Sequence, residues 1–292
     1  ITADAANWTQ LRSAIGSMIS AYWITAPVTI YVSTAGTASP ASPLTGGAFD
    51  KLSSAMTWLR GRRITSTGFV TVSMGAGVFT EAAQVNVSHP DGDRIEIVGA
   101  ALLGGIPADP LSTVKATAEA SARAIWATQI NMPVDGLFVG SRLRRIRNLG
   151  LFGGGGGLGI AYGYTPAVPA PLDPFGAAHG IITDCCSHNF DFGYAVRQGS
   201  HVMAERLIGS HSTTSGVLIN NAAYLLANSL RIGSSGNHNV WVRENSFVEA
   251  TDSKADGSIA GAGIFATNDA KVLWTGDSTA TSAGGDAGGK AM

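Results

Sequence analysis

Four residues capable of acid–base or cation chemistry fall close together in this chain. They are Asp184, His188, Asp191 and Arg197, in Asp184-Cys-Cys-Ser-His-Asn-Phe-Asp191 and the strand-like run after it. A polysaccharide lyase can use Arg or His as its base, with acids holding Ca²⁺. Nothing in the spacing requires that role, and hydrogen bonding at a strand end employs the same residues. Sugar hydrolysis instead needs two carboxylates roughly 5–10 Å apart. Asp252 and Asp277, beside Lys254, are the nearest such pair. Arg142, Arg144, Arg145 and Arg147 form the one basic concentration. They suit an acidic glycan or lipopolysaccharide, though a solvated strand or inter-chain ion pairs are the more ordinary use of such a run. Neither a metal nor a cofactor is expected. Histidines 89, 179, 188, 201, 211 and 238 lack zinc spacing, and Asp91-Gly-Asp93 offers half a cation site at best. Gly153 to Gly157 lacks the Lys-Ser/Thr of a phosphate loop.

These residues sit on a chain that repeats itself. Runs beginning at Gly193, Gly216, Asn239 and Ala262 follow one another at a constant step of 23. Such a period, with short β-like runs and no helical stripe, marks a stacked solenoid. Alternation assigns Tyr194, Val196, Val217, Ile219, Val240, Val242, Gly263 and Phe265 to an inward column. Ala195, Leu218, Trp241 and Ile264 then face outward. An outward column this apolar implies cover, so Leu218, Trp241 and Ile264 are expected at a contact between chains, or beneath a segment of their own. Asn220, Asn221, Asn245 and Asn268 fall where tight bends need residues tolerant of left-handed backbone. Residues one period apart are neighbours on adjacent turns. Glu205 meets Asn228, Glu249 meets Leu226 and Val272, and Asp252 meets Ser229 and Thr275. No acid meets an acid, which weighs against catalysis.

The elements before the repeat would close its open end. Trp8, Leu11, Ile15 and Met18 make one face of a helix over about 4–20, and Phe49, Leu52, Met56 and Leu59 one face of a second. Strand-like runs accompany them, Val28–Val32 and its near-copy Val70–Met74. Thr29-Ile-Tyr-Val-Ser-Thr-Ala-Gly36, Ala48-Phe-Asp-Lys-Leu-Ser-Ser-Ala55, Val70-Thr-Val-Ser-Met-Gly-Ala-Gly-Val-Phe-Thr80 and Arg94-Ile-Glu-Ile-Val-Gly99 follow in that order. This order resembles the lead-in of right-handed parallel β-helix proteins of the pectate-lyase-like superfamily, above all bacteriophage tail spikes and tail fibres. It departs at Asp50-Lys51, where Ser or Thr is common after the Phe. The resemblance implies an all-β right-handed parallel β-helix with an N-terminal α/β capping region, assembled as a homotrimer. Fold alone does not choose among lyases, hydrolases and inert fibres on this scaffold.

Composition agrees with a turn-rich solenoid: 13% of residues are charged and 38 are glycine. The formal net charge of −1 gives no electrostatic case for nucleic acid. No run approaches the roughly 20 apolar residues that span a bilayer, so membrane insertion is not expected. The adjacent Cys185 and Cys186 are expected as reduced thiols. The expected organisation is a capping region over 1–66, a β-helix over 67–280 with a Gly/Pro-rich inserted loop near 153–176, and a tail over 281–292. The functional expectation is a virion tail protein, acting outside the cell beside other tail proteins and attaching to a host polysaccharide or lipopolysaccharide. A polysaccharide depolymerase, lyase or glycoside hydrolase, is the alternative; a passive virion or cell-surface stalk is the third.

Overall fold

The computed structural model describes residues 5–163, 177–276 and 279–282. They form mostly parallel strands, with three α-helices: α1 (Ala5–Tyr22), α2 (Leu52–Arg60) and α3 (Lys115–Ile125). The near-copies found in the sequence lie side by side, Val28 against Val70 through to Val32 against Met74. From there the chain visits three ladders in a fixed order. The first ladder holds Arg142–Arg147, His179–Thr183, the first half of His201–Ser210 and of Tyr224–Gly233, then Phe247–Thr251 and Lys271–Thr275. The second holds Gly150–Gly153, Cys186–His188, the later halves of the same two long strands, and Lys254–Ser258. The third, a separate seven-stranded sheet, includes Leu158–Tyr162, Phe192–Val196, Ser215–Ile219, His238–Arg243 and Ile264–Thr267.

Register follows the repeat. Val202 pairs with Leu225 and Leu225 with Val248, a full period on each time. Tyr194, Val217 and Val240 step likewise in the third ladder. Alternate residues point inward, so Val70, Val72 and Met74 are buried while Phe69, Thr71 and Ser73 are half-buried. One core runs from Ile24 to Ile264 and crosses residue 66 without a break. An apolar interior shared by neighbouring turns is what lets short strands hold together.

The last turn corrects the expected register. Val240 pairs with Ile264 and Trp241 with Phe265, one position more than the period. One extra residue between strands exchanges the two faces. Ile264 therefore joins the inward core rather than the outward column, and Phe265 takes the place beside Trp241. Leu218 is only 6% exposed within the single chain, packed with Phe138, Leu158, Ala161 and Ala195, and Trp241 is half-buried against them. That column is thus largely withdrawn from solvent without any second chain.

The glycine run is also placed differently. Gly150–Gly153 is a strand of the second ladder and Leu158–Tyr162 one of the third. The glycines between them form a corner, with positive φ at Gly155 and Gly157, not the start of an excursion. The inserted length lies further on, since the next turn's partner of Tyr162 is Val196, well beyond one period. Residues 164–176 of the expected loop, and Asp277, lie outside the described residues, as do 283–292 of the expected tail.

The helices divide in role. α2 buries Leu52, Ala55, Met56 and Leu59, and its first turn is tied down where Ser53 donates from its N–H and hydroxyl to the buried Glu81 carboxylate (3.2 and 2.5 Å). α1, expected to help cover the open end, instead leaves its apolar residues in solvent. No sequence pattern announces α3. With Leu111 and Trp126 it covers the outer face of the second ladder, packing on Phe152, Cys186 and Ile208. Among the described residues no helix is long and apolar enough to cross a membrane.

Candidate functional site: the outer face of the first ladder

Strands of the first ladder present alternate residues to the outside, and stacking turns these into three rows. His179, His201, Tyr224, Phe247 and Lys271 form one row. Its ring centroids follow at 5.3, 5.8 and 5.1 Å, with Tyr224 and Phe247 stacked at 12°. Ile181, Met203, Leu226, Glu249 and Leu273 form the second row, and Thr183, Glu205, Asn228, Thr251 and Thr275 the third. The period of the fold produces the rows: positions 201, 224 and 247 are 23 apart, so each side chain lands on its predecessor about 4.8 Å away.

This face is open. Met203 is 54% exposed, and the Tyr224 and Phe247 rings are half-buried. A groove of about 410 Å³ runs over Ile181, Met203 and Leu226 and is walled by Glu205, Asn228, Thr251 and Asp252. The Tyr224 hydroxyl donates to the Glu249 carboxylate at 3.2 Å. Partial burial and that carboxylate raise its pKa, so it stays a donor. Burial, His201 and Arg142 depress His179, leaving a neutral ring near pH 7. Apolar floor, rings and hydroxyl, amide and carboxylate groups converge here, as in a binding cleft for a partly polar ligand.

The basic strand borders this face. Arg142 lies beside His179, Arg145 beside Ile181 and Arg147 beside Thr183. Arg147 is also 3.6 Å from Glu96, and the Arg144 guanidinium sits over the Phe69 ring at 4.6 Å. Three of the four arginines thus continue the three rows.

The other proposed chemistry is scattered over the corners and faces. Asp184 accepts a forked pair of bonds from Arg206 (2.5 and 2.9 Å), which also bonds Glu205. That ion pair sits at the corner between the first and second ladders and fixes the end of the groove wall. His188 is buried under α3, its Nδ1 2.9 Å from the Ser210 hydroxyl. Asp191, at the next corner, accepts from the hydroxyls of Thr213 and Thr214. Arg197 donates to Asn220 at 3.0 Å at the end of the third ladder. These four do not share a site; among the described candidate acids Asp252 alone reaches the groove. Cys185 and Cys186 are free thiols, buried, and burial pushes Cys185 up to about 12. Among the described residues no three His, Cys, Asp or Glu converge as a metal site.

Tyr224, Phe247, Met203, Leu226, Glu205 and Asn228 escape the sequence reading as a set. The signal is present, because 201, 224 and 247 carry His, Tyr and Phe at one phase of the repeat. Alternation assigned faces only along the third ladder. No family model matches the chain, and neither curated proteins nor solved structures give a match.

Proposed function

We propose that this chain is part of a phage tail spike or tail fibre that attaches a virion to a host polysaccharide or lipopolysaccharide. Its scaffold in this reading is a right-handed parallel β-helix with a turn of about 23 residues, within the usual range for solenoid repeats. Three chains assemble beside other tail proteins and act at the host surface. The observation that carries the proposal is the aromatic row His201–Tyr224–Phe247 beside the groove. Sugar rings offer an apolar C–H face to aromatic rings, and their hydroxyls need donors and acceptors such as Asn228, Thr251 and Glu205. A row repeating at each turn suits a polymer with repeating units. The bordering Arg142 and Arg145 favour a glycan carrying acidic groups.

The test is binding to polysaccharides extracted from candidate bacterial hosts, with Tyr224→Ala/Phe247→Ala as the comparison. Loss of both rings is expected to cost about 2 kcal/mol, roughly thirtyfold in affinity. No saturable binding to any host glycan, or equal binding by the variant, overturns the reading.

One observation favours depolymerisation as a second reading. Glu205 and Asp252 wall the same groove two turns apart, which places their backbones about 10 Å apart, near the upper limit for an inverting hydrolase. Release of oligosaccharides in the same incubations, abolished by Glu205→Gln and by Asp252→Asn, would select it over simple attachment.

A further inference from the structure

Helix α1 carries a regular apolar seam that nothing in the described structure covers. Trp8, Leu11, Ile15, Met18 and Tyr22 are spaced three and four apart and are 47–63% exposed. Spacing of this kind fills the a and d positions of a heptad across five successive places. The residues flanking the seam fit the same register. Ala14 and Ala21 occupy the g positions within it, where small side chains let helices approach, and Ile19 one e position. Arg12 takes the other e position, and Thr9, Gln10, Ser13, Gly16 and Ser17 lie on the far side.

Three physical points decide what this seam meets. An 18-residue helix with no acidic residue in its first turn and no basic residue in its last gains little from its own dipole. Helices of this length are marginal in water unless an apolar face is packed. The a/d seam runs unbroken through five places, with Ile19 at e and Ala14 and Ala21 at g beside it. Finally, Arg12 is the one charged residue of the helix. Helices that lie on anionic membranes are rich in Lys and Arg along the polar face, and a charged partner would need complementary charges that α1 does not offer. A seam without charge is complementary to itself.

We infer that α1 is an assembly helix, packing in a coiled coil against α1 of other copies of this chain. The inference does not depend on glycan attachment: it rests on α1, and attachment on the first ladder. It also moves the expected inter-chain contact from Leu218, already buried in one chain, to a segment that is not.

The experiment is the mass of the intact chain in solution by light scattering, for wild type, Leu11→Asp/Ile15→Asp and Ser13→Asp. The wild type is expected to be an oligomer. Leu11→Asp/Ile15→Asp is expected to be a monomer whose β-sheet circular dichroism is unchanged. Ser13→Asp, on the opposite side of the helix, is expected to remain assembled. A monomeric wild type overturns the inference, and so does an oligomer that survives the double substitution. A monomer that binds phosphatidylcholine vesicles through the same residues would assign the seam to lipid and overturn it as well.

Discussion

At the scale of single residues, the corners and the covered face account for much of the fold's cost and sensitivity. Asn148, Asp184, Arg206, Ser229 and Asp252 all have φ between 48° and 61°, one per turn at the same corner. Asn and Asp tolerate this left-handed backbone; Arg206 does not by nature, and its forked bond to Asp184 holds it there. Asn221, Asn245 and Asn268 do the same work at another corner, as their residue type foretold, whereas Asn220 beside them bonds Arg197 instead. His188 carries the pH sensitivity. Burial, with His211, Lys115 and Arg123 adding to it and Glu119 opposing, lowers its pKa to about 4. Unfolded, it would titrate near 6.5. Between those values the unfolded chain binds the extra proton, so stability is lost as pH falls from about 6.5 to 4, by about 3 kcal/mol. Urea unfolding at pH 7 and pH 4.5 should show this loss, and His188→Gln should remove most of it. Burial lowers His89, His179 and His238 as well, which leaves a residual slope in the variant. Equal pH dependence in both proteins would exclude His188 as the source.

At the scale of elements, legibility depended on how much apolar volume an element shows. α2 was readable because Leu52, Met56 and Leu59 mark its buried face with large side chains. α3 was not, because its buried face is Ala118 and Ala122, which leave no stripe in the sequence. Small residues there let the helix lie close on the second ladder, and the large side chain comes after it. Trp126 is fully buried and donates its indole N–H to the Asp184 carbonyl at 2.7 Å. It joins α3, the second ladder and the corner that bounds the groove. Trp126→Ala is expected to destabilise the chain by about 3–5 kcal/mol. Trp126→Phe fills most of the space but leaves that carbonyl without its donor, so about 1–2 kcal/mol is expected. Chemical denaturation of both variants checks the ranking; a Trp126→Phe variant as stable as wild type would mean that the indole N–H contributes nothing, and equal losses would mean that the ring's packing adds nothing beyond it. The glycine corner misled for a related reason. Gly153 to Gly157 have the composition of a loop, yet Gly154 to Gly157 make a tight bend in which a Cβ on Gly157 would meet the Val134 carbonyl oxygen at 2.7 Å.

At the scale of the whole molecule, a period was visible and its failure at the end was not. The constant step reproduces the pairing of the third ladder from Tyr194 through Val242, because identical steps stack identical faces. The longer final step turns on one residue in the connection before Ile264, and no local pattern distinguishes it. The groove shares this history: it lies on columns that the period defines, while its function depends on which residues occupy them. Parallel ladders of this kind also predict how stability is distributed. A strand inside a parallel ladder is held by neighbours on both sides, and an outermost strand by one. Among the described residues strand Lys271–Thr275 is paired on one side, and its inward Val272 and Trp274 are half-buried whereas Val248 and Ala250 in the strand before it are fully buried. Amide exchange is therefore expected to be slowest at Val217–Ile219 and Leu225–Ala227, faster at Val248–Ala250, and fastest at Lys271–Thr275. Exchange followed by mass spectrometry in the monomeric Leu11→Asp/Ile15→Asp variant reads this gradient without any contribution from assembly. Uniform protection along the ladder would mean that the turns unfold as one unit and that nearest-neighbour stacking does not govern the stability of this chain.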